Sequence, residues 1–307
     1  MKKVSVIMPN YNHAPFLKER LNSIFAQNYP EMEIILMDDA STDNSLSVLE
    51  TYEQFPQVKV LQVNSVNSGN TFMQWKRGLA QATGEYVWIA ESDDVAHPSL
   101  LSHLVQTLEQ TNSVLAFAHS ECIDENGQIL PRRIDPLFQH NFTMEGLAFI
   151  TRFLLGENMI CNASAVVFRR SACAQINMKT VQSFTASGDR LFWIQVAKQG
   201  RVAYVSEPLN HFRQHTCKVS YGAAAEGLNI VQDHKIYRFI APSLHLTCRD
   251  QRMICGYHWD ASRRPWVNNS GQENAKQAWA SEPYFTFGSW LLYRICRFAK
   301  RFKVCSI

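Results

Sequence analysis

Four polar residues, Glu91-Ser92-Asp93-Asp94, follow directly on the apolar run Tyr86-Val87-Trp88-Ile89-Ala90. Side chains alternate along an extended chain, so carboxylates two positions apart at a strand end point to the same side. Glu91 and Asp93 therefore offer two hard oxygen donors together, which suits a divalent cation that also holds phosphate oxygens. The plain alternative is a solvated acidic turn ahead of the helix at Pro98. A second acidic pair, Asp38-Asp39, closes the run Glu33-Ile34-Ile35-Leu36-Met37. Placed side by side, the two clusters would repel unless a cation or a hydrogen-bonding ligand offset their charge. Tyr11 follows the first apolar run and could stack on a planar base, while Asp39 could accept a hydrogen bond from a base N–H.

The elements that would position these residues are legible from periodicity. Val4 to Met8, Glu33 to Met37, Val58 to Val63 and Glu85 to Ala90 are short β-rich runs. Between them, Phe16, Leu17, Leu21, Ile24 and Phe25 recur at helical spacing, a Ser41 or Thr42 cap precedes Leu46, Val48 and Leu49, and Gln74 to Thr83 stops at Gly84. A β-α-β-α-β-α-β order implies a mostly parallel sheet flanked by helices. Right-handed crossovers put the carboxyl ends of all its strands on one edge, where ligands of such sheets bind. Further along, Ser99–Gln110 and Met144–Leu155 read as helices, Ser113–His119, Ser164–Phe168 and Val202–Val205 as strands, and Asp124-Glu125-Asn126-Gly127 as a hairpin-type turn. Asp189 to Lys198 reads as a helix ended by Gly200. After about residue 221 the pattern weakens.

Composition narrows the class. The 307 residues are 46% hydrophobic and 19% charged, with 30 Lys+Arg against 27 Asp+Glu. That argues against disorder and for a globular fold. No apolar run is long enough to span a bilayer, and the opening Met1-Lys2-Lys3-Val4-Ser5-Val6-Ile7-Met8-Pro9 reads as a first strand rather than a signal-peptide core. Arg294, Arg297, Lys300, Arg301 and Lys303 crowd into residues 290–307 with no acid, so the rest of the chain is slightly acidic and nucleic acid is not an expected partner. Eight cysteines without a CxxC pair or zinc-ligand spacing suggest reduced thiols.

The segments Val4-Ser5-Val6-Ile7-Met8-Pro9-Asn10-Tyr11-Asn12, Ile34 to Asp43 and Gly84 to Asp94 together resemble family 2 of the inverting glycosyltransferases. The match is firm over roughly residues 3–120 and patchier to about 220. It implies a GT-A fold, with residues 1–220 forming the nucleotide-sugar-binding and catalytic domain; residues 221–307, which the resemblance does not reach, are expected to form a helical C-terminal extension. It also implies a nucleotide-diphosphate sugar donor, a divalent cation (Mn²⁺ or Mg²⁺), and a glycan or lipid-linked acceptor. Pro9 and Tyr11 would line the base pocket and Asp39 would bind the base, usually uracil. Asp93 matches the closing acid of the family's DxD element. The opening acid is Glu91 here, which leaves open whether it touches ligand. Where many relatives have Arg-Asn, this chain has Trp75-Lys76-Arg77-Gly78, so Lys76 or Arg77 would supply the charge near the nucleotide. Ser187-Gly188-Asp189 resembles the later acidic motif and makes Asp189 the expected general base, where the bland reading is a helix cap. His211-Phe212-Arg213-Gln214-His215 resembles the segment over the diphosphate, with His215 a further metal or diphosphate contact.

The alternatives are a nucleotide-sugar-binding protein without catalysis, and a sugar nucleotidyltransferase. The latter usually has a glycine-rich basic loop after its first strand, whereas Pro9-Asn10-Tyr11-Asn12-His13-Ala14-Pro15 holds no glycine. In the tail, Leu291, Ile295, Phe298 and Phe302 recur at helical spacing among Arg294, Arg297, Lys300 and Arg301. A basic amphipathic helix near 289–303 is therefore expected either to lie on an anionic membrane or to pack back on the domain. The expected setting is cytoplasmic, with the tail helix available for the inner membrane face.

Overall fold

The computed structural model describes residues 1–131, 139–215 and 219–303, the side chains at 219–221 and 299–303 excepted. Four strands, β1 (Val4–Asn10), β2 (Met32–Asp38), β3 (Val58–Val63) and β4 (Tyr86–Ile89), form a parallel block in the order β3-β2-β1-β4. Helices α1 (Ala14–Phe25), α2 (Ser45–Glu53) and α3 (Thr71–Gln81) make the crossovers. β1 and β4 are buried along their whole length, as near-continuous apolar runs in a two-sided parallel sheet must be. Alternation then divides their side chains between two cores. Val4, Val6, Met8 and Trp88 face Leu17, Leu21 and Ile24 of α1, while Ile7, Val87 and Ile89 face Phe72 and Trp75 of α3. Pro9 falls beyond the last β1–β4 pair, Ile7 with Ile89, so its missing N–H costs no ladder bond on that side.

Past β4 come β5 (Val95–Ala96), α4 (Leu100–Thr111), β6 (Ser113–Ile123), β7 (Phe142–Glu145), β8 (Val166–Arg169) and β9 (Arg201–Arg213). The sheet continues β8-β6-β9-β5, with β8 antiparallel to both β4 and β6 and β6 parallel to β9. Two expectations change here. The helix expected over 144–155 is the end of β7, a four-residue helix α5 (Gly146–Phe149) and a π-helical turn (Ile150–Leu154). The strand expected at 202–205 runs on to Arg213, because β6 pairs with it through Ile123. Helices α6 (Met178–Gln182) and α7 (Gly188–Ala197) lie between β8 and β9.

The weakly patterned end of the chain is helical: α8 (Val219–Ala225), α9 (Leu228–Ile240), α10 (Cys248–Ala261), α11 (Asn269–Trp279) and α12 (Phe287–Lys303). Thr247 and Asp250 form a reciprocal capping box at the start of α10. Ile230, Ile236, Tyr237, Ile254, Trp279 and Tyr293 join the same hydrophobic core as Ile7, Trp75 and Phe192. The extension thus shares the interior of the sheet domain. The six cysteines among the described residues are free thiols, and no described helix is long and apolar enough to cross a membrane.

The tail helix packs by one face and exposes another. Ser289 and Tyr293 are buried against α10, whereas Leu291, Ile295 and Phe298 are 45%, 57% and 62% exposed. The side chains of Lys300, Arg301, Phe302 and Lys303 lie outside the described residues. Close approach of α10 and α12 requires Gly256, since a Cβ there would sit 2.3 Å from the Ser289 carbonyl oxygen. Gly256→Val is therefore expected to destabilise the fold by about 1–3 kcal/mol, the usual cost of overpacking, and to make α12 sensitive to protease. Thermal unfolding and limited proteolysis indistinguishable from wild type would show that α12 does not dock through this face.

Candidate active site

The carboxyl ends of β1, β2 and β4 sit on one edge, and the loops leaving them form the site. Asp38 and Asp39 divide the labour there. Asp38 closes the loop: it accepts from Asn10 Nδ2 at 2.8 Å, Ser41 N at 2.9 Å and Ser41 Oγ at 2.6 Å. Asn12 and Ala40 take positive φ values of 54° and 57° at the two loop turns. Asp39 faces the other way. Its Oδ1 accepts from Asn64 Nδ2, from Ser68 N at 3.0 Å and from Gln74 Nε2 at 2.7 Å, while among the described residues Oδ2 accepts only from Ser68 Oγ at 2.6 Å. A carboxylate oxygen can take about two bonds, so Oδ2 keeps capacity for one ligand N–H. Arg77 Nη1 donates to Asn64 Oδ1, which ties Arg77 to this group. Lys76 is exposed and has no hydrogen-bond or ion-pair partner among the described residues. Tyr11 is 44% exposed beside the buried Pro9.

Past β4 the chain turns through Glu91 to Asp94. Asp93 is buried, and its Oδ2 lies 3.1 Å from His215 Nε2. His13, at the head of α1, joins them: one ligand atom from each of His13, Asp93 and His215 lies within 4.8 Å of the others. The two imidazoles meet edge to face at 5.5 Å, and Phe16 lies 5.0 Å from the His215 ring. Glu91 is not in this group; its Oε1 accepts from Trp75 Nε1 at 2.9 Å. Asp94 is structural, accepting from Asn162 Nδ2 at 2.7 Å and Arg213 N at 3.1 Å.

Two buried arginines support this acidic turn. Arg213 donates from Nε to the Asp93 carbonyl at 2.8 Å, and from Nη1 to the carbonyls of Asp124 and Glu125 at 3.0 and 3.1 Å. Its Nη2 pairs with Glu19 of α1. Arg20 lies over the Trp88 ring and is fully buried, with Nε and Nη1 unbonded among the described residues. Burial lowers its pKa to about 10, against the opposing pull of Asp94, Asp93 and Glu91. At neutral pH it remains a cation behind the carboxylates.

Asp189 stands in the first turn of α7. Gly188 beside it packs so closely on Phe72 that a Cβ would lie 2.4 Å from the ring, and Trp75 meets Phe192 and Trp193. The start of α7 is thereby seated on α3, whose Trp75 holds Glu91. Burial raises the Asp189 carboxyl above its ordinary value, opposed by the Arg190 backbone N–H and guanidinium. The C-terminal helices hold the approach to Asp189. Gln232 Oε1 accepts from the N–H groups of Ala186 and Ser187 at 2.9 and 3.0 Å, and Asp233 pairs with Arg190 at 2.9 Å.

Residues 5–176 match the family model described as glycosyl transferase family 2. The chain belongs to that family. An uncharacterized glycosyltransferase of Nostoc sp. is 28% identical over 73% of this chain and 68% of its own. The putative teichuronic acid biosynthesis glycosyltransferase TuaG of Bacillus subtilis is 26% identical over 68% of this chain and 78% of its own. Among solved structures, Staphylococcus aureus TarS 1–349 in complex with UDP superposes with a TM-score of 0.57 at 20% identity, covering 91% of this chain and 90% of that one. Mannosyltransferase PcManGT from Pyrobaculum calidifontis in complex with GDP-Man and Mn²⁺ gives 0.59 at 18% identity, over 98% of this chain and 84% of that one. At those identities the likeness establishes the GT-A fold.

In this glycosyltransferase the residues not singled out from sequence are His13, Arg20, Arg213, Gln232 and Asp233. His13 had a faint signal, three positions past the first strand on the sheet edge. Arg213 lies inside the His211–His215 segment without a role of its own there, and Arg20, Gln232 and Asp233 carry no signal, because their partners come from distant segments. Glu91 also behaves differently from a simple ligand. Burial first, then Asp93 and Asp94, raise its pKa to about 8 from 4.5, while Trp75 and Arg20 pull the other way. A raised carboxyl favours the fold when protonated. That contribution is full below pH 4.5 and is lost as pH rises through about 8. Between pH 6.5 and 8.5 the Tm of wild type should fall by several degrees more than that of Glu91→Gln, whose amide oxygen still accepts from Trp75. Parallel Tm curves for the two proteins would mean that Glu91 is already ionised in the fold.

Proposed function

We propose that this family 2 glycosyltransferase moves a sugar from a nucleoside diphosphate sugar, UDP-linked, to a hydroxyl of a glycan or lipid-linked acceptor, with inversion, in the synthesis of cell-surface polysaccharide. The observation that carries the reading is the His13, Asp93 and His215 group seated on the same sheet edge as Asp39. TuaG and TarS, which are named for teichuronic acid and poly(ribitol-phosphate) work, support the polysaccharide setting. Family membership disfavours the nucleotidyltransferase alternative.

Asp39 reads the base through Oδ2, Tyr11 and Pro9 flank it, and Arg77 adds positive charge through Asn64. Lys76, being exposed, is the weaker of the two basic candidates. Two imidazoles and one buried carboxylate form a donor set that fits Mn²⁺ better than the all-oxygen shell Mg²⁺ prefers. Such a cation, when bound, offsets the charge that grows on the departing diphosphate. Glu91, biased by burial toward its protonated form, shapes the pocket from its bond to Trp75. Asp189 accepts the proton of the acceptor hydroxyl as that oxygen attacks the anomeric carbon. The raised carboxyl is a better base than an ordinary aspartate, although proton transfer stays concerted with bond formation. Attack opposite the diphosphate inverts the centre, through a transition state of oxocarbenium character. The exposed stripe Leu291, Ile295 and Phe298 beside Arg294 supports peripheral contact with an anionic membrane, which suits a setting at the cytoplasmic face.

A screen of sugar nucleotides for hydrolysis and transfer, with and without Mn²⁺ or Mg²⁺, tests the donor. Asp189→Asn should lower kcat by 10²–10⁴, the range of a lost general base, with donor affinity within about twofold. Near-normal turnover would remove Asp189 from the mechanism and favour a different base. His13→Ala and His215→Ala should each weaken Mn²⁺-dependent UDP binding by roughly tenfold, the low end for lost metal-site groups. Equal UDP affinity in wild type and both variants, with Mn²⁺ or with a chelator, would detach these histidines from a cation.

A further inference from the structure

A second concavity lies away from the sheet edge, where α5 and the π-helical turn meet α10 and α12. Its volume is about 720 Å³, within the range of small-molecule sites. Phe153, Met159, Met253, Ile254 and Tyr293 make an apolar floor. The rim is cationic. Arg152 and Arg249 stand there with no ion-pair or hydrogen-bond partner among the described residues, Arg152 lying over the Phe153 ring at 5.2 Å. The two rim acids are already engaged: Glu157 pairs with Arg297 at 3.0 Å, and Asp250 accepts from Thr247 N and Oγ1 at 2.9 and 2.7 Å as the cap of α10. Arg249 sits in the first turn of α10, the end of a helix where a cation is disfavoured.

Apolar walls beneath guanidinium groups that have no anionic partner among the described residues are complementary to an amphiphile with an anionic head. We propose that this cavity binds a single-chain alkyl or prenyl phosphate, the chain against Phe153, Met253 and Tyr293 and the phosphate between Arg152 and Arg249. Guanidinium groups suit phosphate because they offer paired donors in a plane. The volume favours one chain over two. The cavity is also coupled to the start of α7: Gly156 lines it, and the Gly156 carbonyl accepts from Arg190 Nη1 at 3.3 Å. An occupant would therefore press on the residue next to Asp189. The binding site itself does not depend on the transferase mechanism and stands if Asp189 is not the base.

The test is calorimetric titration of the full chain with monomeric dodecyl phosphate, with dodecanol and inorganic phosphate as controls and phosphatidylglycerol vesicles as a separate arm. Dodecyl phosphate should bind one to one, at least tenfold more tightly than either control, and should raise the Tm. The double variant Arg152→Ala/Arg249→Ala should lose at least tenfold for dodecyl phosphate with dodecanol unchanged. Both side chains are exposed, so folding is not at stake. Leu147→Trp, at the half-exposed wall, should weaken dodecyl phosphate and dodecanol together while UDP binding is unchanged. Binding no stronger than the controls, or insensitive to the two arginines, overturns the proposal. So does association with vesicles alone, which would assign the arginines to a membrane surface.

Discussion

Carboxylates gathered at the buried edge of a sheet repel one another, and the whole architecture of this enzyme works to contain that repulsion. Glu91, Asp93 and Asp94 follow one strand, and each is handled differently. Asp94 is consumed by Asn162 and the backbone of Arg213. Glu91 is pushed toward its neutral form and held by Trp75. Asp93 faces two imidazoles, with Arg20 behind it as a buried cation. Like charges in a low-dielectric site cannot all stay ionised without compensation, so the differences among the three are a consequence of packing.

Arg213 connects this electrostatic problem to the fold. It is buried at the end of β9 and ties together the Asp93 backbone, the turn at Asp124–Glu125 and Glu19 on α1. Burying a guanidinium is costly unless its donors are matched, and the partners that match Arg213 come from three separate segments. The same contacts carry the chain toward His215. The length of β9 thus has a purpose beyond the sheet: it delivers His215 to Asp93.

The C-terminal helices play a comparable part for Asp189. Gln232 receives two backbone N–H groups just ahead of α7, and Asp233 holds Arg190. Since these helices also share the main hydrophobic core, Asp189 and its support belong to one packed unit. Gly256 permits α12 to complete that unit while its other face stays open to solvent.

The sequence by itself determined the parallel block and its chemistry-bearing edge. The runs at Val4, Ile34, Val58 and Tyr86 have strand periodicity, and the helices between them dictate which ends converge. Asp39 and Asp93 stood out as acids following strands, whereas Asp189 and His215 became candidates only through the family resemblance. Tertiary structure alone decided the rest. The separation of Asp38 from Asp39, the recruitment of His13, the neutral bias of Glu91 and the roles of Arg20, Arg213 and Gln232 all depend on partners tens to hundreds of positions away. The helical end was obscure because its apolar residues serve a core shared with other segments, so no single helix carries a clean stripe. Local periodicity encodes which element forms, while burial and charge compensation are properties of the assembled packing.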